Sequence, residues 1–217
     1  MSRDCVALHV KAAKALPWAT LAADWPAASA DSQGLPAVDA LHAAYVERYA
    51  TLRAGERTAQ ILTAIRAVAE RAQAGEAVSW DGLRRLQAIV LDQAHVGFRA
   101  QPAHANSRME TYGCHPKLEA AFVRKLASDA AEELHPLLHA CRLYLDVRFF
   151  HPFADGNGAA ARLALQWALQ QGGVRLPELT PLFQLPVHPG DLDEYRALCD
   201  LAASLLRRAH GPEGAAQ

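Results

Sequence analysis

The sequence predicts an all-α fold, and three observations predict it. Apolar residues recur at helical spacing through most of the chain. Most prolines and glycines fall between these periodic stretches rather than inside them. The stretch from Ala94 to His115 lacks the period, and its one strand-like signal is short. The expectation is about seven or eight helices with one small β-hairpin.

Residues 1–37 read as an irregular segment packed on the core. Val6, Leu8 and Val10 alternate weakly, and Pro17, Pro26 and Pro36 interrupt any long helix. Trp18 and Trp25 are large apolar groups suited to pinning the segment down, with a partner-binding arm as the functional alternative. The helical domain is then expected over 38–210. Leu41, Tyr45, Val46, Tyr49 and Leu52 make the first stripe, and Gly55 can stop it. Ile61, Leu62, Ile65 and Val68 make the second, ending near Gly75. Ser79 reads as the N-cap of a third helix carrying Leu83, Leu86, Ile89 and Val90. These stripes are ordinary core faces.

The aperiodic stretch contains Gly97, Pro102, Asn106, Ser107 and Gly113. Met109, Thr111 and Tyr112 could form part of a hairpin, and the segment reads as either a substrate-contacting flap or a plain connection. Pro116 then opens a helix with Leu118, Phe122, Val123 and Leu126. Pro136 opens the next, which runs through Leu145 and Phe149 into His151. A further helix starts at about Gly156 and continues to Gly172-Gly173. A proline-rich loop follows. Asp191 caps the last helix, with Glu194 placed as a capping-box acid. Residues 211–217 read as a frayed tail.

Composition narrows the class. The chain has 217 residues, 51% of them hydrophobic, and a net charge of -1, which fits a globular protein without the basic excess of a nucleic-acid binder. Cys5, Cys114, Cys141 and Cys199 form no CxxC pair, so scattered reduced thiols are expected rather than a disulfide framework or zinc site. No apolar run approaches the ~18 residues of a membrane span, and the N-terminus lacks a signal-peptide pattern. The expected location is the cytoplasm, with a non-classically secreted effector as the other case.

The stretch densest in chemistry is His151-Pro152-Phe153-Ala154-Asp155-Gly156-Asn157-Gly158-Ala159-Ala160-Ala161-Arg162. A helix start with glycines suits an anion, because its first N–H groups lack intrahelical partners and the dipole adds positive charge. If the helix begins near Asp155, then Asp155, Gly158, Ala159 and Arg162 share one face. Arg162 offers a guanidinium for bidentate phosphate contact. Asp155 is a hard oxygen ligand, as a nucleotide-bound Mg²⁺ needs. His151 is a general-base candidate near neutral pH. Phe153 is expected to turn inward and anchor the loop.

This stretch resembles the signature of the Fic family, HPFx(D/E)GNGRxxR, matching it at His151, Pro152, Phe153, Asp155, Gly156, Asn157, Gly158 and Arg162. The resemblance extends from about Gly97 to Gly173. It implies a Fic-type helical bundle with a β-hairpin flap before the motif. It implies transfer of a nucleoside monophosphate, most often AMP from ATP with Mg²⁺, to a Ser, Thr or Tyr hydroxyl of a target protein. His151 would be the base, and Asp155 the Mg²⁺ ligand. Gly156, Asn157 and Gly158 would form the anion hole, and Arg162 would grip the distal phosphate. The flap between Arg99 and Gly113 would present the target.

Ala159 stands where the family usually has arginine. Three outcomes are open: weakened use of ATP with another cation filling in, a different donor such as UTP or a diphosphate-linked group, or a catalytically weak nucleotide-binding or interaction module. A phosphotransferase of the Doc kind is a further class, but those relatives alter the Gly-Asn-Gly turn, which is intact here. The family's inhibitory motif, (S/T)xxxE(G/N), is approached only by Ser128 to Glu132, followed by Glu133. No inhibitory segment is therefore expected in this chain, which leaves a separate antitoxin-like inhibitor or absent autoinhibition.

Overall fold

The structure, a computed structural model, describes residues 4–28, 34–50, 57–105 and 109–210. Two helices form its centre: α7 (Pro136–Phe150) and α8 (Asn157–Gln171). Both are apolar nearly all round, as helices enclosed by others must be. Leu137, Leu138, Leu145, Val147 and Phe149 of α7, and Leu163, Leu165, Trp167 and Leu169 of α8, are all buried. Gly172, the C-cap of α8, approaches the start of α7 so closely that a Cβ would lie 2.4 Å from Pro136 Cβ. The two helices are therefore antiparallel, and the turn 151–156 closes them at the opposite end.

The other elements wrap this pair. In chain order they are α1 (Cys5–Ala15), α2 (Trp18–Leu21), α3 (Val38–Ala50), α4 (Thr58–Gln73), α5 (Trp80–Leu91), β1 (Ala103–Ala105), β2 (Glu110–Tyr112) and α6 (Leu118–Ala130), and after α8 come α9 (Thr180–Gln184) and α10 (Leu192–Ala209). The fold is all-α: among the described residues eight helices have 11 residues or more, and α2 and α9 are single turns. The main core lies around α7, and a second apolar cluster joins α4 and α5 to α8 through Ile65, Val68, Leu86, Val90, Leu163 and Trp167. No helix of the described residues is long and apolar enough to cross a membrane.

Local signals produce the expected caps. Ser79 accepts a hydrogen bond from the Gly82 N–H, and Asp191 accepts from Asp193 and Glu194. Pro136 occupies the first turn of α7, where its missing N–H is not needed. Glu194 departs from the capping box: its carboxylate accepts from the backbone N–H of His188 instead of reaching back to Asp191. Leu52, Gly55, Asn106, Ser107 and the tail 211–217 lie outside the described residues.

The N-terminal segment corrects its reading as irregular chain. Residues 5–15 are helical, capped by Asp4, which accepts from the Val6 N–H at 3.0 Å. The buried face of α1 is Cys5, Val6, His9, Ala12 and Ala13. Those positions have helical spacing, but small residues and a histidine carry it, so the hydropathy pattern is faint. His9 ties the helix inward: one ring nitrogen lies 2.8 Å from Asp146 on α7, the other 2.8 Å from the Tyr195 hydroxyl on α10. Trp18 is buried and donates to the Ala13 carbonyl at 2.6 Å.

Candidate functional site

The site is built on the turn between α7 and α8. His151 is the C-cap of α7 and adopts a left-handed conformation, φ 51° and ψ 56°. That reversal carries the chain out of α7 and into the motif. Phe153, fully buried, stacks on Trp80 with ring centroids 5.2 Å apart and anchors the turn as expected. Asn157 locks it from the helix side: its side-chain oxygen accepts from the Phe153 N–H at 2.9 Å, and its amide donates to the Phe153 carbonyl at 2.8 Å. The Asn157 side chain is thus spent on the loop, so its offering to an anion is its backbone N–H.

Helix α8 starts at Asn157, with Gly156 as N-cap at φ +74°. The first intrahelical bond runs from Ala160 N–H to the Gly156 carbonyl, and the N–H groups of Asn157, Gly158 and Ala159 precede it. A Cβ at Gly156 would lie 2.4 Å from Gln87 Nε2, so backbone angle and space both demand glycine there. Gly158 differs. It is exposed, and a Cβ would meet only Arg162 Nη1, at 3.6 Å, an ordinary contact. The protein itself does not need glycine at 158. Arg162 turns back beside this bare backbone and lies against the Tyr45 and Phe183 rings, 5.4 and 5.9 Å from their centroids. Asp155 precedes the helix, so the single helical face expected for Asp155, Gly158, Ala159 and Arg162 does not form. Ala159 is 7% exposed and belongs to the apolar cluster with Ile65, Leu86 and Leu163.

The electrostatics suit a neutral base. His151 Nδ1 lies 3.2 Å from the Arg148 carbonyl. A carbonyl can only accept, so Nδ1 carries the proton and Nε2 keeps its lone pair. Burial pushes the imidazole down from 6.5 to about 4, because the charged ring loses its hydration. Asp155 is exposed, with one carboxylate oxygen accepting from the Gly156 N–H at 2.6 Å and the other from Arg57 at 2.8 Å. Its acidity reflects burial raising the pKa and these donors lowering it, with a net shift downward. A single solvent-exposed carboxylate beside a bare helix start fits a divalent cation that brings phosphate oxygens and water as its other ligands. Among the described residues no cluster of three or more His, Cys, Asp or Glu could hold a metal on its own.

The hairpin covers the site. Strands β1 and β2 pair antiparallel, Ala103 opposite Tyr112 and Ala105 opposite Glu110. Met109, at the distal end, is 84% exposed. At the base, Tyr112 packs on the His151 ring. Four residues to which the sequence reading gives no role hold this arrangement. Arg99, buried, donates to the His151, Gln101 and Gly113 carbonyls at 2.6, 2.8 and 2.6 Å, joining flap to turn. Asp4 accepts from the Gly113 N–H at 3.0 Å and so couples α1 to the flap. Buried Gln87 donates to the Asp155 carbonyl at 2.7 Å. Arg57 reaches Asp155 from the start of α4. Gln87 and Arg99 carry a weak signal, each being a polar group inside an apolar stretch; Asp4 and Arg57 carry none. A groove of about 970 Å³ between α4 and α5, lined by Thr63, Asp81, Arg84, Arg85, Asp92 and His95, takes no residue from the motif.

Residues 77–169, which span the flap, the turn and most of α8, match the model of the Fic/DOC family. The match supports a Fic domain within this chain. Its fold is similar to the crystal structure of a Fic domain containing signaling protein from Bacteroides thetaiotaomicron VPI-5482, with a TM-score of 0.52 at 16% identity over 95% of this chain and 94% of that one. The Fic domain supports a transferase of the Fic type as the general class. The near-complete overlap places α1 and α10 within the shared architecture, outside the stretch that the family match covers.

Proposed function

We propose that the chain transfers a nucleoside monophosphate, AMP from ATP in the first instance, to a Ser, Thr or Tyr hydroxyl of a target protein. The carrying observation is the His151 imidazole, neutral and tautomerically set with Nε2 as acceptor, one turn from a glycine-bare helix start. His151 Nε2 takes the proton of the target hydroxyl as its oxygen attacks the α-phosphorus. The bond from that phosphorus to the bridging oxygen breaks, and pyrophosphate leaves. The N–H groups of Asn157, Gly158 and Ala159 stabilise charge on the donor's phosphates, and Arg162 holds the far end. The flap holds the target segment beside His151 by strand addition along β2. Asp155 is the residue that would hold Mg²⁺, which when bound with the donor would supply charge neutralisation at the phosphates.

A second donor is favoured by one observation. Ala159 is enclosed in the apolar cluster, so the cation usual at that position is replaced by core packing. UTP or a diphosphate-linked group is then the alternative to ATP. The test is incubation with Mg²⁺ and α- or γ-labelled ATP, UTP, CTP and GTP. Label reaching protein from the α-position only, and lost in His151→Ala, is the expected result. Transfer from the γ-position would instead make the chain a kinase, and no transfer from any donor despite nucleotide binding would make it a binding module. A separate antitoxin-like protein is the proposed kind of inhibitor, and Ser128 to Glu132 does not serve, since Glu132 pairs with Arg142.

A further inference from the structure

Arg57 enters the site from a part of the chain that no motif covers. Its Nη1 lies 2.8 Å from Asp155 Oδ2, across 98 residues of sequence. The backbone of Arg57 is held at the start of α4, where its carbonyl accepts from the Ile61 N–H at 2.9 Å. The side chain makes no capping bond. The two side chains are 44% and 64% exposed, so water screens the pair and its contribution to stability is small. Its effect on what binds at Asp155 is larger. A guanidinium on the carboxylate opposes the approach of a bare divalent cation. It does not oppose a cation that arrives with polyphosphate, because the phosphates bring more negative charge than the metal brings positive. The planar fork also has N–H donors beyond the one given to Asp155, and phosphate is a matching acceptor. With Ala159 buried in apolar packing, Arg57 supplies a cation at the Asp155 end of the site while Arg162 stands at the other.

We infer that Arg57 is a phosphate ligand and a specificity-determining residue, which selects a cation–polyphosphate complex over the bare cation by exchanging Asp155 for phosphate oxygens. This rests on the donor-site reading above. Asp155 is then guarded by a residue that must move aside, and only a ligand able to reward both partners displaces it.

The probes are Mn²⁺ alone and Mn²⁺ with inorganic tripolyphosphate, which carries the phosphate chain without a base. Protein-bound Mn²⁺ is measured by equilibrium dialysis, as the excess of total Mn²⁺ on the protein side, with wild-type, Arg57→Gln, Arg57→Lys and Asp155→Asn chains, each checked for an unchanged melting temperature. Loss of one charge a few ångströms away predicts opposite shifts in Arg57→Gln: tighter Mn²⁺ alone by several-fold, and weaker uptake with tripolyphosphate by about tenfold. Arg57→Lys should keep the wild-type preference in weaker form. Both affinities unchanged in Arg57→Gln, or both shifted the same way, overturns the inference while leaving the donor site standing, provided that wild-type uptake is lost in Asp155→Asn. A wild-type chain whose tripolyphosphate uptake is absent or indifferent to Asp155→Asn overturns the donor site and the inference together.

Discussion

The phenol ring of Tyr112 lies flat against the imidazole of His151, with centroids 4.0 Å apart and planes 18° from parallel. The last residue of β2 therefore shields the proposed base and packs against one face of its ring, while the Tyr112 hydroxyl donates to Glu110 at 2.6 Å within the same strand. Flap and base are one unit. Replacing Tyr112 by Ala should admit water to the ring and raise the His151 pKa from about 4 toward 6.5, visible in an NMR titration of the imidazole. Transfer should fall by about tenfold or more, because the ring loses its alignment. Tyr112→Phe keeps the stacked ring and should keep both properties. A Tyr112→Ala chain that still titrates near 4 would place the shielding elsewhere.

The pH dependence follows from the same burial. In the unfolded chain His151 takes up its proton near 6.5, and in the folded chain near 4. Between those values the unfolded state binds more protons, so this contribution to stability is whole above pH 6.5 and is lost as the pH falls through 4. Buried His42, pushed down to about 3 by desolvation and then by the Arg162 charge, acts with the same sign. Denaturation midpoints measured from pH 7 to pH 4 should fall, and His151→Gln should remove part of the fall, leaving the share of His42. The acid limb of kcat/KM should have its midpoint near 4 rather than near 6.5.

Two glycines separated by Asn157 should respond in opposite ways. Gly156→Ala forces a side chain into φ +74° and against Gln87 Nε2, and should cost about 1–3 kcal/mol of stability in urea denaturation. Gly158→Ala meets no obstacle within the protein and should gain about 0.5–1 kcal/mol, since alanine is the better helix residue. The same Gly158→Ala chain should bind nucleotide at least tenfold more weakly. A stabilised chain with unchanged nucleotide affinity would show that nothing approaches the backbone at 158.

Arg99 should be the most sensitive residue of the flap. Its guanidinium serves carbonyls from the flap's base, from Gln101 and from His151. Arg99→Ala leaves those buried acceptors without a charged donor and should cost about 3 kcal/mol. Arg99→Lys fills much of the volume but cannot fork to three carbonyls, so it should recover part of the stability and little of the transfer activity. Urea denaturation alongside labelled-donor assays separates the two effects.

The legible part of this protein is the part written locally. Ser79, Asp191 and Pro136 signal helix starts because each acts within its own first turn. The stripes of α4, α5 and α10 are legible because large aliphatic side chains repeat on one face. The face of α1 was not, since alanine, cysteine and histidine bury well without marking a hydropathy period. At the site, the residue types and spacing from His151 to Arg162 announce anion, metal and proton chemistry from the chain alone. Their geometry departs in detail: Asn157 serves the loop, Asp155 precedes the helix, and Ala159 faces the core.

By itself the sequence determined an all-α chain with a short hairpin, and a motif carrying a base, a carboxylate, a bare turn and an arginine. Those are properties of residue type and near-neighbour spacing. Only the tertiary structure decided what surrounds the motif: Tyr112 over His151, Arg99 under the flap, Asp4 joining α1 to it, Gln87 against Gly156, and Arg57 on Asp155. The physical reason is that these contacts join a side chain to a ring, a backbone group or a carboxylate far away in sequence. Such bonds depend on which distant segments are packed around the turn between α7 and α8, and they impose no period on the residues between.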